Sequence, residues 1–157
     1  MMSDPLEALL DEAIRHELTV SMLYFEFFQA FPDDADLWWT LSVEESGHAG
    51  LLEAGRKLFG SEYGEEILPA RVEYLREANR TLEKLLEQMK EQPLSREAAC
   101  RIALEIETTT DGMIFENALR PSQDADDPTI SERIRRDDLR HAARIRTYMK
   151  DQGISEA

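Results

Sequence analysis

Four acids and two histidines interrupt the apolar stripes of this chain, and they carry the most chemistry it has to offer. Glu45-Ser46-Gly47-His48 and Asp138-Leu139-Arg140-His141 each set an acid and a histidine three residues apart. On a helix that spacing puts both side chains on one face, able to grip a common ion. Glu17 and Glu107 are solitary acids; the stripe around the first reads Leu10, Ala13, Glu17, Val20, Tyr24, Phe27. A buried carboxylate is costly unless it is neutral, paired or bound to a metal. One acid from each of two helices, with an acid–histidine pair from each of two others, is the ligand arrangement of two-metal helix bundles. The candidate metal ligands are therefore Glu17, Glu45, His48, Glu107, Asp138 and His141. Four carboxylates balance two divalent ions. Oxygen and nitrogen donors without thiolate suit iron or manganese, and zinc fits as a redox-silent occupant.

Glu107 is preferred to its neighbour Glu105, which shares a polar face with Arg101, Thr108 and Gly112, whereas Glu107 lies with Ala103, Thr110 and Ile114. An internal comparison agrees: Ala13-Ile14-Arg15-His16-Glu17 aligns with Ala103-Leu104-Glu105-Ile106-Glu107. Glu45 follows Glu17 by 28 residues and Asp138 follows Glu107 by 31, so the second half reads as a copy of the first with a longer loop. Tyr24, Tyr148 and Asp111 are candidates to hold a ligand by hydrogen bond. His16 reads as a flank residue, Asp137 as a helix-surface acid, Trp38 and Trp39 as packing residues, and Cys100 as a small buried filler.

Five helices must position these residues, at about 4–31, 34–59, 70–91, 95–119 and 130–152, and no segment reads as a strand. Pro5 favours entry into the first helix and Pro32 stops it; Gly60 is a natural end for the second. Ser95 caps the fourth, and Thr129-Ile130-Ser131-Glu132 matches a capping box for the last. The third, with Val72, Leu75, Leu82 and Leu86 on its apolar side, has no candidate ligand there and reads as a long crossover between two hairpins. The expected architecture is one all-α domain over residues 1–157, a four-helix bundle with a helical crossover.

Composition narrows the function classes. The chain of 157 residues has a net charge of −15, which repels phosphate backbones and argues against nucleic acid as a partner. No apolar run approaches the roughly 20 residues of a membrane span. Neither a signal peptide nor, with Cys100 as the only cysteine, a disulfide or a four-cysteine metal knot is expected. The expected location is the cytoplasm.

Taken together, Glu17 with Tyr24 seven residues on, Glu45-x-x-His48, Glu107 and Asp138-x-x-His141 resemble the rubrerythrin-type branch of the ferritin-like di-iron carboxylate family, from about Asp4 to Gln152. The resemblance implies a carboxylate-bridged pair of iron ions, reaction with peroxide or dioxygen, an external electron donor and a homodimer. This chain lacks the cysteines of the family's C-terminal rubredoxin-like domain. Leu104 and Thr110 stand one turn either side of Glu107, where the family tends to carry a further Glu. Asp138 replaces a Glu; one methylene shorter, it is expected to bind one ion terminally and to leave the His141-side ion the weaker. The implied function is a peroxidase or ferroxidase. The alternatives are an iron storage or delivery protein, and a structural bundle with an empty or zinc-filled site.

Overall fold

The computed structural model describes residues 4–60, 68–109, 120–121 and 130–157. Helix α1, Asp4–Ala30, ends where Pro32 removes a backbone donor, and the chain turns through the short 3-10 segment Pro32–Asp34 into α2, Ala35–Ala54. Two serines sew this hairpin together: Ser21 Oγ donates to the Ser42 carbonyl at 2.7 Å and Ser42 Oγ donates to the Ser21 carbonyl at 2.8 Å. Small side chains at that crossing let the two helices approach closely.

Helix α2 stops at Ala54, earlier than the expected Gly60. At the next residue, Gly55, a Cβ would sit 2.0 Å from Ile130 Cδ1 of the last helix, so a larger residue there would push that side-chain tip aside. Beyond it come a 3-10 turn, Arg56–Leu58, and a two-residue strand β1, Phe59–Gly60, antiparallel to β2, Arg120–Pro121. The absence of strands expected from the sequence is corrected to this extent; two-residue pieces are too short for an alternating pattern to show.

Helix α3, Leu68–Glu91, is the crossover and packs chiefly on α1. Its one buried polar residue, Asn79, donates to the Glu12 carbonyl and carboxylate of α1 and meets His16 Nδ1 at 3.0 Å. His16 is thus buried against the crossover rather than lying on the flank, and burial pushes its pKa down despite the nearby Glu17 and the Asn79 bond. Helix α4, Arg96–Thr109, opens with Ser95 Oγ accepting from the Ala98 N–H. Helix α5, Ile130–Asp151, packs on α4 and touches α2, and ends before Gly153 at φ +69°. Thr129 of the expected capping box and residues 110–119 of the expected fourth helix lie outside the described residues.

The result is an all-α, ferritin-like bundle of two antiparallel hairpins, α1–α2 and α4–α5, joined by a long helix. Two apolar clusters divide the core. One, with Tyr24, Phe27, Trp38, Ala103 and Ile145, lies toward the α1–α2 turn; the other, with Leu9, Leu52, Leu75 and Ile134, lies at the far end. The candidate ligands occupy the level between them.

Candidate metal centre

Helical periodicity brings all six candidate ligands together. Glu17, Glu45, His48, Glu107, Asp138 and His141 are each no more than 3% exposed, one acid from α1, one from α4, and an acid–histidine pair from each of α2 and α5. Glu105 is exposed while Glu107 is buried, as the stripe argument requires. The donors form two groups with their ligand atoms mutually within 4.8 Å: Glu17, Glu45 and His48 in one, and Glu45, Glu107, Asp138 and His141 in the other. Glu45 belongs to both.

Distances show how it is shared. Glu45 Oε2 lies 3.5 Å from His48 Nδ1, and its other oxygen, Oε1, lies 2.7 Å from His141 Nδ1. Glu17 Oε2 is 3.5 Å from His48 Nδ1, and Glu107 Oε1 is 3.5 Å from His141 Nδ1. Asp138 Oδ1 falls between the imidazoles, 3.6 Å from His48 Nδ1 and 3.9 Å from His141 Nδ1. The rings are 5.6 Å apart and 20° from parallel, so one oxygen on the short Asp side chain faces both. By ligand-atom proximity Asp138 groups with Glu45, Glu107 and His141, on the His141 side, although its Oδ1 faces both imidazoles.

Both histidines are held by their outer nitrogens. His48 Nε2 meets Asp137 Oδ2 of α5 at 3.2 Å, and His141 Nε2 meets Glu44 Oε2 of α2 at 2.6 Å. In each case the partner is the acid just before the ligand acid of the opposite helix. An Nε2–H donated outward leaves the Nδ1 lone pair for the centre. Asp137, read from the sequence as a surface acid, is thus half of a reciprocal pair with Glu44. The signal was available as paired acids ahead of each motif, Glu44-Glu45 and Asp137-Asp138.

Tyr24 is where the sequence placed it: its hydroxyl donates to Glu107 Oε1 at 2.6 Å, and burial, with the nearby Glu107 charge, raises its pKa well above the ordinary value. Tyr148 is not. Its hydroxyl donates to Asp34 Oδ1 and accepts from Arg96 Nη2 at 2.6 Å, a cluster toward the turn end of the bundle. The stripe position of Tyr148 was read correctly, but Asp34, a buried acid in the turn, has no periodic neighbours to announce it. Asp111 lies outside the described residues.

The electrostatics are those of a site held by protons. Burial, then the neighbouring Glu45 charge, lifts the Glu17 carboxyl to about 8. Burial disfavours charge on both imidazoles, but the surrounding carboxylates outweigh it and raise His48 to about 11 and His141 to about 10. Even so, Glu45 Oε1, His48 Nδ1 and His141 Nδ1 are buried without a hydrogen bond of proper geometry. Buried polar atoms are rarely left so, and here they converge on one point. Carboxylate oxygens and imidazole nitrogens aimed inward at that point fit a pair of divalent cations of the iron, manganese or zinc type. The buried Glu, Asp and His residues form a cluster able to chelate two metal ions within a ferritin-like fold. A comparison of the chain with models of known protein families, with curated proteins and with solved structures finds no significant match.

Proposed function

We propose that this protein is a di-iron redox protein of rubrerythrin-like chemistry that reduces peroxide or dioxygen. The observation that carries this reading is the inward pair of Nδ1 atoms, His48 and His141, on either side of a Glu45 whose two oxygens diverge toward them. Glu17 and His48 would hold one ion, Glu107 and His141 the other, with Glu45 and Asp138 between. When bound, the iron pair supplies two electrons, enough to convert one peroxide and two protons to two waters.

The chain's own residues set the conditions. Asp137 and Glu44 fix the imidazole planes, so the donors need little reorganisation as an ion's charge changes. Tyr24 holds Glu107 Oε1 in place, and the packed rings of Tyr24, Phe27 and Trp38 keep bulk water from that side. Glu17, which holds a proton at neutral pH in the metal-free site, yields it on binding an ion. Cys100, single and buried, cannot ligate an iron–sulfur relay, and the proposed cycle draws its electrons from an external reductant.

Stopped-flow mixing of ferrous-loaded protein with peroxide and, separately, with dioxygen tests this reading. Rapid oxidation by peroxide, one peroxide per two ferrous ions, with re-reduction and repeat turnover, is the expected result. Faster reaction with dioxygen and retention of the ferric product would assign iron storage or delivery instead, a role that a net charge of −15 would serve by collecting cations. No oxidation by either, with zinc co-purifying, would leave a structural bundle.

A further inference from the structure

Between α3 and α4 lies a cavity of about 610 Å³ that the metal centre does not use. It opens because α3 packs chiefly on α1 while α4 packs on α5. Tyr74, Leu82 and Leu85 line it from α3, and Ile102 and Ile106 line it from α4. Its size falls in the range of small-molecule sites, roughly 300–1,000 Å³. Among the described lining residues only His16 comes from neither of those helices; it belongs to α1 and is 6% exposed. The next residue along α1 is Glu17, a candidate ligand of the metal centre.

Asn79 decides which ring nitrogen His16 has to offer. The Asn79 amide spends both hydrogens on Glu12, at 3.1 Å to the carbonyl and 2.9 Å to the carboxylate, so its Oδ1 is the atom that meets His16 Nδ1 at 3.0 Å. A carbonyl oxygen only accepts, and Nδ1 therefore carries the ring proton. Burial keeps the ring neutral, which leaves Nε2 with a free lone pair. Among the described residues none donates to that nitrogen, and an acceptor so enclosed calls for a donor.

The walls limit what can bring one. Two facing apolar rows suit a flat ring. Among the described residues the cavity has one cation, Lys84, against Glu77 and Glu105, so no positive cluster awaits a phosphate or carboxylate. A net charge of −15 repels such anions further. We infer that the cavity binds a small neutral aromatic diol of the hydroquinone type, one hydroxyl donating to His16 Nε2, and that this diol is the external reductant of the metal centre. Its role as reductant rests on the redox reading above; its binding does not. The diol gives up its two hydroxyl hydrogens as two protons and two electrons and leaves as the quinone. One peroxide takes up the same two protons and two electrons as its O–O bond breaks and leaves as two waters. His16 holds the diol one residue from Glu17, consecutive Cα atoms being about 3.8 Å apart.

Calorimetric titration of the full metal-free chain with naphthohydroquinone, under argon, tests the site. The dimethyl ether of the same compound serves as the probe with no hydroxyl to donate. The diol is expected to bind about tenfold tighter than the ether, the worth of one hydrogen bond to a buried acceptor. His16→Phe keeps a ring in place without an acceptor and is expected to bring the two probes to equal affinity. Thr81→Trp, at an exposed position of α3 that lines the cavity, is expected to weaken both by at least about tenfold through overpacking, with helical content unchanged. No binding of the diol, equal affinity of the native chain for diol and ether, or native affinity in Thr81→Trp would overturn the site. The reductant role is read separately, on iron-loaded protein supplied with peroxide. One quinone per peroxide is expected, formed at least about tenfold more slowly by Thr81→Trp. Quinone formed equally fast by both proteins would overturn the reductant role. Ferrous protein inert to peroxide would instead sink the redox reading, with the cavity judged by the titration alone.

Discussion

Asp34 and Glu45 are equally buried acids, each 2% exposed, yet their surroundings make opposite demands. Asp34, in the turn between α1 and α2, is answered by Arg96 in a two-pronged ion pair, both contacts at 2.7 Å, and by the Tyr148 hydroxyl. Arg96 also donates to Gln152, so the cluster ties the first hairpin to both helices of the second and is complete as it stands. Among the described residues, no arginine or lysine pairs with Glu45. Its neighbours are two histidines and three further acids, and Glu45 Oε1, His48 Nδ1 and His141 Nδ1 remain poorly satisfied unless protons or cations fill the middle. Burial of an acid therefore says little by itself. What separates a strut from a ligand is whether the protein supplies the opposite charge.

The largest effect that separates the two clusters is metal loading. With each ion at about a hundredfold its Kd, two sites stabilise the fold by about 5 kcal/mol. That is roughly 10–20 °C in melting temperature for a chain of this size, and chelation should reverse it. The pH profile sharpens the contrast. In the metal-free fold Glu17, raised to about 8, keeps a proton that the unfolded chain releases above its ordinary value of 4.5, so stability falls as pH rises between those values. His48 and His141, raised from 6.5 to about 11 and about 10, contribute stability that is full below 6.5 and lost as pH climbs through the higher values. The melting temperature of the metal-free protein should thus decline steadily between about pH 5 and 10, and that of the loaded protein much less. At pH 7 these same three groups must release about three protons when both ions bind, which calorimetry in buffers of different ionisation enthalpy will count.

Next in size is Arg96→Ala, which strands Asp34 and should cost about 3 kcal/mol, the low end for a broken buried pair because Arg96 is partly exposed. Chemical denaturation should give the same loss with and without metal; a loss confined to the loaded form would erase the distinction between strut and ligand. Tyr24→Phe removes one donor to Glu107, for about 1–2 kcal/mol in stability and about tenfold in metal affinity. Smallest is Glu17→Gln in the metal-free form at pH 6. Since Glu17 is already neutral there, melting should move by less than about 0.5 kcal/mol, while binding of the ion at His48 is lost.

The ligand-bearing stripes were legible because helical periodicity and the Glu-x-x-His and Asp-x-x-His spacings act over short range. The choice of Glu107 over Glu105 followed from the face each occupies. What escaped the sequence depends on how helices meet. Asp137 and Glu44 look like surface acids until α2 and α5 are laid side by side and each proves to hold the other helix's histidine. Asn79 and His16 likewise acquire meaning only when α3 docks on α1. Gly55, just past the end of α2, meets Ile130 from far along the chain, a contact that no local signal records. Tyr148 was drawn to Asp34 because a turn acid with an arginine beside it is as good a partner as a ligand carboxylate.

The central claim is that cations complete the Glu45 cluster, and an anomalous-scattering map tests it most directly. Crystals of protein purified without chelators and loaded with ferrous or manganous ion should show two peaks flanking Glu45, one beside His48 Nδ1 and the other beside His141 Nδ1, with none at Asp34. An empty cluster in the presence of excess metal, or a single peak away from both histidines, would contradict it.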